Sequence, residues 1–268
     1  DLVRSRGLGD VYKRQRQYHA GALKIIRPHY LDETGQVYYI TANPGGGYVG
    51  GDSYRIAVDV ADGASILFTD QSATKVYRTP ESFVSQKIDF HVGAGAVLEY
   101  VPDQLILYRD ADFRQHMTVD LDPEASAFLS DIVTPGWSPD GGQFRYRQAH
   151  LRSEVRVGGK LALVDNMRIM PERDAETLHS PTFLGQNTHF ATALCFDPGI
   201  DEDLIENVRA ALAEIEQIEA SVTACDVPGF VVRAVGSRTE HLMEAVQTAA
   251  NIVRSTLRGQ GKLHMRQY

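Results

Sequence analysis

From about residue 21 to about residue 195, apolar and polar side chains alternate with a period of two. In Tyr54-Arg55-Ile56-Ala57-Val58-Asp59-Val60, the residues Tyr54, Ile56, Val58 and Val60 fall on one side, while Arg55 and Asp59 fall on the other. Successive Cβ atoms of a strand point to opposite faces, so this is the pattern of a half-buried strand. Ile88, Phe90 and Val92 oppose Lys87, Asp89 and His91 in the same way. Further short strands are expected at 37–41, 64–69, 97–101, 104–109, 113–121, 151–157 and 161–167. Turn sequences such as Asp62-Gly63, Gly93-Ala94-Gly95 and Gly158-Gly159 separate them. The succession predicts a mainly β molecule of packed or coiled antiparallel sheets rather than βαβ units. No internal sequence repeat accompanies it.

The period changes after Pro198. Asp201 is placed to cap a helix near 202–222, with Leu204, Val208, Leu212, Ile215, Ile218 and Val222 on one stripe. A strand follows at 230–235. A second amphipathic helix is expected near 237–258, where Ser237 and Glu240 have capping-box spacing, Leu242, Val246, Ala249, Val253 and Leu257 form the stripe, and Gly259 is the C-cap. Packing on the sheets is the ordinary use of such stripes, and a partner surface is the alternative.

Composition narrows the function classes. The 268 residues are 43% hydrophobic and 23% charged, which is globular and not disordered. A net charge of -8 with no concentrated basic face opposes binding along a phosphate backbone. Residues 1–16 carry scattered Lys and Arg without a period and are expected to form a flexible tail, leaving 17–268 as one β-rich domain. Two cysteines, Cys195 and Cys225, are too few for a disulfide scaffold, and no signal-peptide pattern opens the sequence; a reducing, cytoplasmic setting is expected. Every apolar run is far shorter than the roughly 20 residues a membrane-spanning helix requires.

The candidate chemistry is sparse. Gly45-Gly46-Gly47-Tyr48-Val49-Gly50 spells a dinucleotide fingerprint, but Gly51-Asp52-Ser53 leads into a strand instead of the helix that would hold pyrophosphate. A tight turn with close backbone approach is the expected use of these glycines. The nine histidines form no zinc pattern. On one strand His189 and Cys195 would lie roughly 20 Å apart, too far to share an ion; Cys195 is expected in the core and His189 in an ordinary hydrogen bond. Asp110 and Asp112, beside Arg109 and Arg114, are expected on a solvated ionic face. No nucleophile elbow is present, so catalysis is not expected. The alternatives are a hydrolase or isomerase using Glu99, Asp103 or Asp110, and a purely structural β-domain that binds protein through its helices.

Three blocks carry a family resemblance. Gly46-Gly47-Tyr48-Val49-Gly50-Gly51-Asp52, Thr69-Asp70-Gln71-Ser72-Ala73-Thr74-Lys75-Val76-Tyr77-Arg78 and Glu99-Tyr100-Val101-Pro102-Asp103-Gln104 resemble, in order and spacing, the motifs of the UreD (UreH) urease accessory family. The matching motif residues are Gly46, Gly47, Gly50, Gly51, Asp52, Gln71, Thr74, Lys75, Tyr77, Arg78 and Pro102, and the resemblance runs from about residue 21 to about 260. It implies an elongated β-rich scaffold with two helices and no catalysis of its own. Such a scaffold binds UreF, supports recruitment of the GTPase UreG and meets apo-urease, in a dimeric assembly formed through those partners. No tightly bound cofactor is implied, and Ni²⁺ passes only transiently. Among the motif-associated acids, Asp52, Glu99 and Asp103 are the candidates for a nickel route, because oxygen ligands lower the cost of desolvating the ion without holding it tightly.

Overall fold

The alternating segments are strands, and the chain carries them in turn between two facing sheets. The structure, a computed structural model, describes residues 3–5, 15–26 and 28–263; most of the expected tail at 1–16 lies outside the described residues. β1 (Val3–Ser5) and β2 (Gln15–Gln17) form an antiparallel ribbon. β3 (Lys24–Ile25) and β4 (His29–Tyr30) both pair antiparallel with β5 (Val37–Ala42). The chain then winds as a coil through β6 (Ser53–Val60), β7 (Ser65–Asp70), β8 (Thr74–Val76), β9 (Val84–Val92), β10 (Val97–Tyr100), β11 (Leu105–Leu107), β12 (Asp112–Leu121), β13 (Ser126–Val133) and β14 (Gln148–Val157). Within it β5, β7, β10 and β13 pair in parallel in the larger sheet. β6, β9, β12 and β14 pair in parallel in a five-stranded sheet. β8 and β11 make a short parallel third side.

Antiparallel pairing takes over at the end of the coil. β15 (Lys160–Ile169) folds back on β14. After the single-turn α1 (Ala175–Leu178), β16 (His189–Phe196) pairs with β13. α2 (Glu202–Ala213) follows, then the hairpin of β17 (Ile218–Ala224) and β18 (Gly229–Gly236), which extends the larger sheet through β16, and finally α3 (Thr239–Arg258).

The expectation of antiparallel sheets therefore holds at the margins and is corrected in the centre, where an elongated solenoid of parallel strands forms. Alternation reports that one face is buried and is silent on the direction of the neighbouring strand. The coil returns to equivalent positions after 29 to 32 residues, as for Thr41 and Asp70, Gln86 and Gln115, or Tyr54 and Gln86, although the residue types do not repeat.

The helix expected at 202–222 is also corrected. It ends at Ala213, and Ile218–Ala224 is an edge strand. Ile215, Ile218 and Val222 keep helical spacing, but they reach the same apolar cluster as Leu204, Val208 and Leu212 from a strand and its entry turn. Asp201 caps α2 as expected, accepting from the Leu204 N–H at 2.9 Å. The Ser237 capping box does not form: the N-cap of α3 is Arg238, with no side-chain cap bond, so Ser237 stands one residue too early. Gly259 ends α3 at φ 59°, in the left-handed region that suits glycine.

Both longer helices bury their stripes on the outer face of the larger sheet, where Leu242, Val246, Ala249 and Val253 meet Phe128, Ala193 and Phe230. The opposite face of that sheet packs Phe68, Leu98 and Leu129 against Ile88, Met117 and Val119 of the five-stranded sheet. A further cluster around Val84, Leu107, Phe113 and Val133 fills the adjoining part of the coil.

Candidate functional site: a polar row inside the coil

Between those last two clusters the strand register assembles a row of polar side chains. On the larger sheet, Thr41 lies beside Asp70, and Asp131 beside Thr192 and then Arg233. On the facing sheet, Tyr54, Gln86 and Gln115 stand side by side. Two residues away along β13, Leu129 and Val133 belong to the apolar clusters on either side, as a period of two requires. The row crosses the interior: the Gln115 amide donates to both Asp131 oxygens at 3.2 and 3.4 Å, and the Gln86 amide donates to Gln115 Oε1 at 3.4 Å. Gln86 Oε1 is buried without a hydrogen-bond partner. At the far end Arg233 donates to Thr192 Oγ1 at 2.8 Å and pairs with Asp165 at 2.5 Å.

Burial governs the acids here. It pushes the Asp131 carboxyl up to about 7, against the hydrogen bond from Gln115 and with a smaller push from Asp165 and Asp70. Asp70, whose carboxylate accepts from Thr41 Oγ1, is pushed up to about 6 by burial and, to a lesser degree, by Asp103. The Tyr48 and Tyr100 hydroxyls are pushed far upward by burial and by these same acids, so both stay protonated donors.

Asp70 opens onto a cavity of about 30 Å³ lined by Thr41, Asn43, Gly46, Gly47, Tyr48, Thr74 and Lys75, room for a water molecule or two. Two of the three motif blocks thus converge on one spot. The glycines are used as expected. Gly51 has φ 90°, and a Cβ on Gly47 would stand 2.7 Å from the Tyr77 ring and 2.8 Å from the Lys75 carbonyl oxygen. Gln71 anchors the same corner by donating its N–H to the Thr41 carbonyl at 2.7 Å, and Gly50 packs close to Thr79 and Ser82.

The three acids expected on a nickel route are not brought together. Asp52 Oδ2 accepts from the Val49 N–H at 2.9 Å and from the Tyr54 hydroxyl at 2.6 Å, and Tyr54 stacks on Tyr48 at 3.9 Å, so Asp52 borders the cavity wall. Asp103, just after Pro102, accepts from the Gln104 N–H at 2.9 Å; burial raises its pKa, and its charge reaches Asp70. Glu99 faces the other way, towards the helices. It is 1% exposed, with Oε2 bound by Arg254 and Oε1 by Arg258 at 3.0 Å.

Among the described residues no three His, Cys, Asp or Glu side chains converge to hold a metal ion. Cys195 is buried in the core, and His189 bonds the Thr188 hydroxyl at 2.8 Å, as expected. Asp110 pairs with Arg78 at 2.7 Å on the surface. Asp112, expected on a solvated face, is instead 6% exposed: it shares the outward parity of Arg114 on β12, but Arg114 and Arg147 pair with it at 3.0 and 3.4 Å and cover it. Sequence reasoning missed Asp70 and Asp131 as site residues. The available signal was a lone carboxylate at an inward position of each of two otherwise uncharged strands.

Comparison with known proteins assigns the molecule. Residues 3–267 match the family model described as UreD urease accessory protein. The chain belongs to the UreD family. It is 42% identical over 253 residues to the urease accessory protein UreD of Actinomyces naeslundii, covering 94% of this chain and 92% of that protein. It is 40% identical over 259 residues to that of Arthrobacter sp. strain FB24, covering 94% and 88%. The UreD match reaches into residues 3–16, which the motifs alone had left outside the resemblance. UreD membership gives the chain a non-catalytic, accessory role in urease maturation. No helix among the described residues is long and apolar enough to cross a membrane.

Proposed function

We propose that this UreD-family chain is a cytoplasmic nickel-delivery scaffold that binds UreF, supports recruitment of UreG and assists transfer of Ni²⁺ to apo-urease, within a dimeric accessory assembly formed through those partners. The observation that carries this reading is the row of acids inside the coil. A hydrated dication passing between proteins sheds water and needs oxygen ligands in exchange, yet it must leave again. Carboxylates without imidazole or thiolate hold Ni²⁺ loosely. Asp70 and Asp131, with pKa values pushed up to about 6 and about 7, keep protons close to neutral pH and exchange them for a cation. Asp52 and Asp103 border the entry in this reading. Glu99 supports the route from the opposite face of the sheet by fastening α3. Against a carboxylate-dependent hydrolase or isomerase stands the size of the cavities beside these acids, about 30 Å³ next to Asp70 and about 190 Å³ next to the Glu99 partners Gln36 and Arg254, whereas pockets for organic substrates are commonly about 300–1,000 Å³.

The substitution Asp70→Asn keeps shape and hydrogen-bonding capacity and removes the charge. With UreF and UreG the variant is expected to co-elute as the parent does in size-exclusion chromatography with light scattering, while the nickel content of the activated urease falls on the order of tenfold. Full nickel loading by a folded, partner-bound variant would remove Asp70 from the route. Separate elution of the folded parent chain and UreF would remove the scaffold reading itself.

A further inference from the structure

The short third side of the coil has an outward surface of its own. Val76 and Leu107 point inward and are fully buried, so the next positions, Tyr77 and Tyr108, turn outward. Trp137 adds a third rung through its parallel bridge to Tyr108. The ring centroids are 5.0 Å apart for Tyr77 and Tyr108 and 4.8 Å apart for Tyr108 and Trp137, the spacing of neighbouring strands. Trp137, the sole tryptophan of the chain, remains 49% exposed.

Arg78 and Arg109, whose side chains are 59% and 39% exposed, follow Tyr77 and Tyr108 at this ladder, and both face Asp110, at 2.7 and 4.0 Å. Asp110 sets the orientation of Arg78, whose Nε and Nη2 donate to Asp110 Oδ2 at 3.0 and 2.7 Å. Asp110 itself has φ 65°, a left-handed backbone that a residue with a side chain keeps only where its surroundings impose it. Two guanidinium groups against the one carboxylate they share leave this corner positive on a chain of net charge -8.

We infer that this aromatic and basic ladder is a docking surface for an acidic segment of a protein partner. Tyrosine, tryptophan and arginine are the side chains that carry most binding energy in protein interfaces. The guanidinium groups match carboxylates, and the exposed Trp137 ring, beside the half-buried Tyr77 and Tyr108 rings, takes the apolar parts of the segment. A single-stranded nucleic acid also stacks on aromatic rings, but its binding needs a longer cationic track than two arginines supply. Local pairing with a short segment survives the chain's overall negative charge, because salt screens charges beyond about 8 Å. The inference goes beyond the nickel reading and does not depend on it.

The single tryptophan makes the test direct, since all tryptophan emission from these 268 residues arises in the ladder. Poly-L-glutamate is titrated into the protein at low and at physiological ionic strength, with poly-L-lysine and a single-stranded oligonucleotide in parallel. Saturable change in emission is expected with poly-L-glutamate, weakening as salt is raised, and about tenfold weaker for the double variant Arg78→Glu and Arg109→Glu. If circular dichroism shows that the reversal disturbs folding, Arg78→Gln with Arg109→Gln takes its place, with a smaller but definite loss expected. Unchanged emission with poly-L-glutamate overturns the inference, as does equal affinity in the charge variants. Equal or tighter binding of the oligonucleotide overturns the assignment to a protein partner.

Discussion

Asp131 stands at an inward position of β13 between Leu129 and Val133, with the Gln115 amide on its two oxygens at 3.2 and 3.4 Å. Its pKa in the folded chain, about 7, lies above the ordinary carboxylate value of 3.8, so the folded state binds the proton that the unfolded state has already lost. The stability this group contributes is fully present below the ordinary value, declines as pH rises, and is lost above about 7; Asp70 behaves likewise through about 6. The thermal midpoint of the parent chain is therefore expected to rise as pH falls from about 8 to about 6. Asp131→Asn stays neutral and keeps an acceptor for Gln115. It is expected to melt on the order of 5 °C higher than the parent near pH 8, with a flatter pH profile. Melts by circular dichroism decide this, and parallel profiles for parent and variant would sink it. At this scale the sequence was partly legible. The inward placement of residue 131 follows from alternation, but its meeting with Gln115 and Asp70 depends on how coils stack, which alternation does not encode.

The stripe of α3 was readable from its apolar spacing, yet what fastens the helix was not. Glu99 was singled out by its place in a motif, whereas its partner Arg254 lies 155 residues along the chain. Arg254 is 3% exposed, and Gln36 adds a donor to Glu99 Oε2 at 2.9 Å. Arg258 extends the network to Ser126 and Asp197 at 2.8 and 3.4 Å. Removing one partner of a buried ion pair leaves a desolvated charge uncompensated, at a cost of about 3–5 kcal/mol. Glu99→Ala is expected to lose about that much stability and to speed amide exchange in α3 ahead of the solenoid strands, while Glu99→Gln, which keeps an acceptor, loses less. Unchanged exchange across α3 in the Ala variant would show that the apolar stripe alone holds the helix. The same limit explains the β17 error. Ile215, Ile218 and Val222 fit a helical stripe because a strand folded back over α2 buries them against the same cluster, and one-dimensional periodicity does not separate the two arrangements.

In the whole molecule the larger sheet divides two tasks. Its outer face carries α2 and α3, its inner face the polar row, and the short third side turns the aromatic ladder outward. A change confined to the interior therefore leaves the outer surface intact. Asp52→Asn, at the half-buried turn that borders the cavity, is a comparably local change, since asparagine still accepts from the Val49 N–H and the Tyr54 hydroxyl, and the loss of stability is expected to stay within about 1 kcal/mol. If the Asp52 carboxylate serves the nickel route, the variant assembles with UreF and UreG as the parent does and melts nearly as the parent does, while the nickel content of urease falls. If Asp52 only caps the turn between Val49 and Tyr54, any loss of nickel tracks the melting temperature. Complex formation, thermal melting and urease nickel content measured on one preparation separate these outcomes. Normal nickel loading by the variant excludes an essential charge at Asp52 and confines the route to the acids behind it, Asp70 and Asp131.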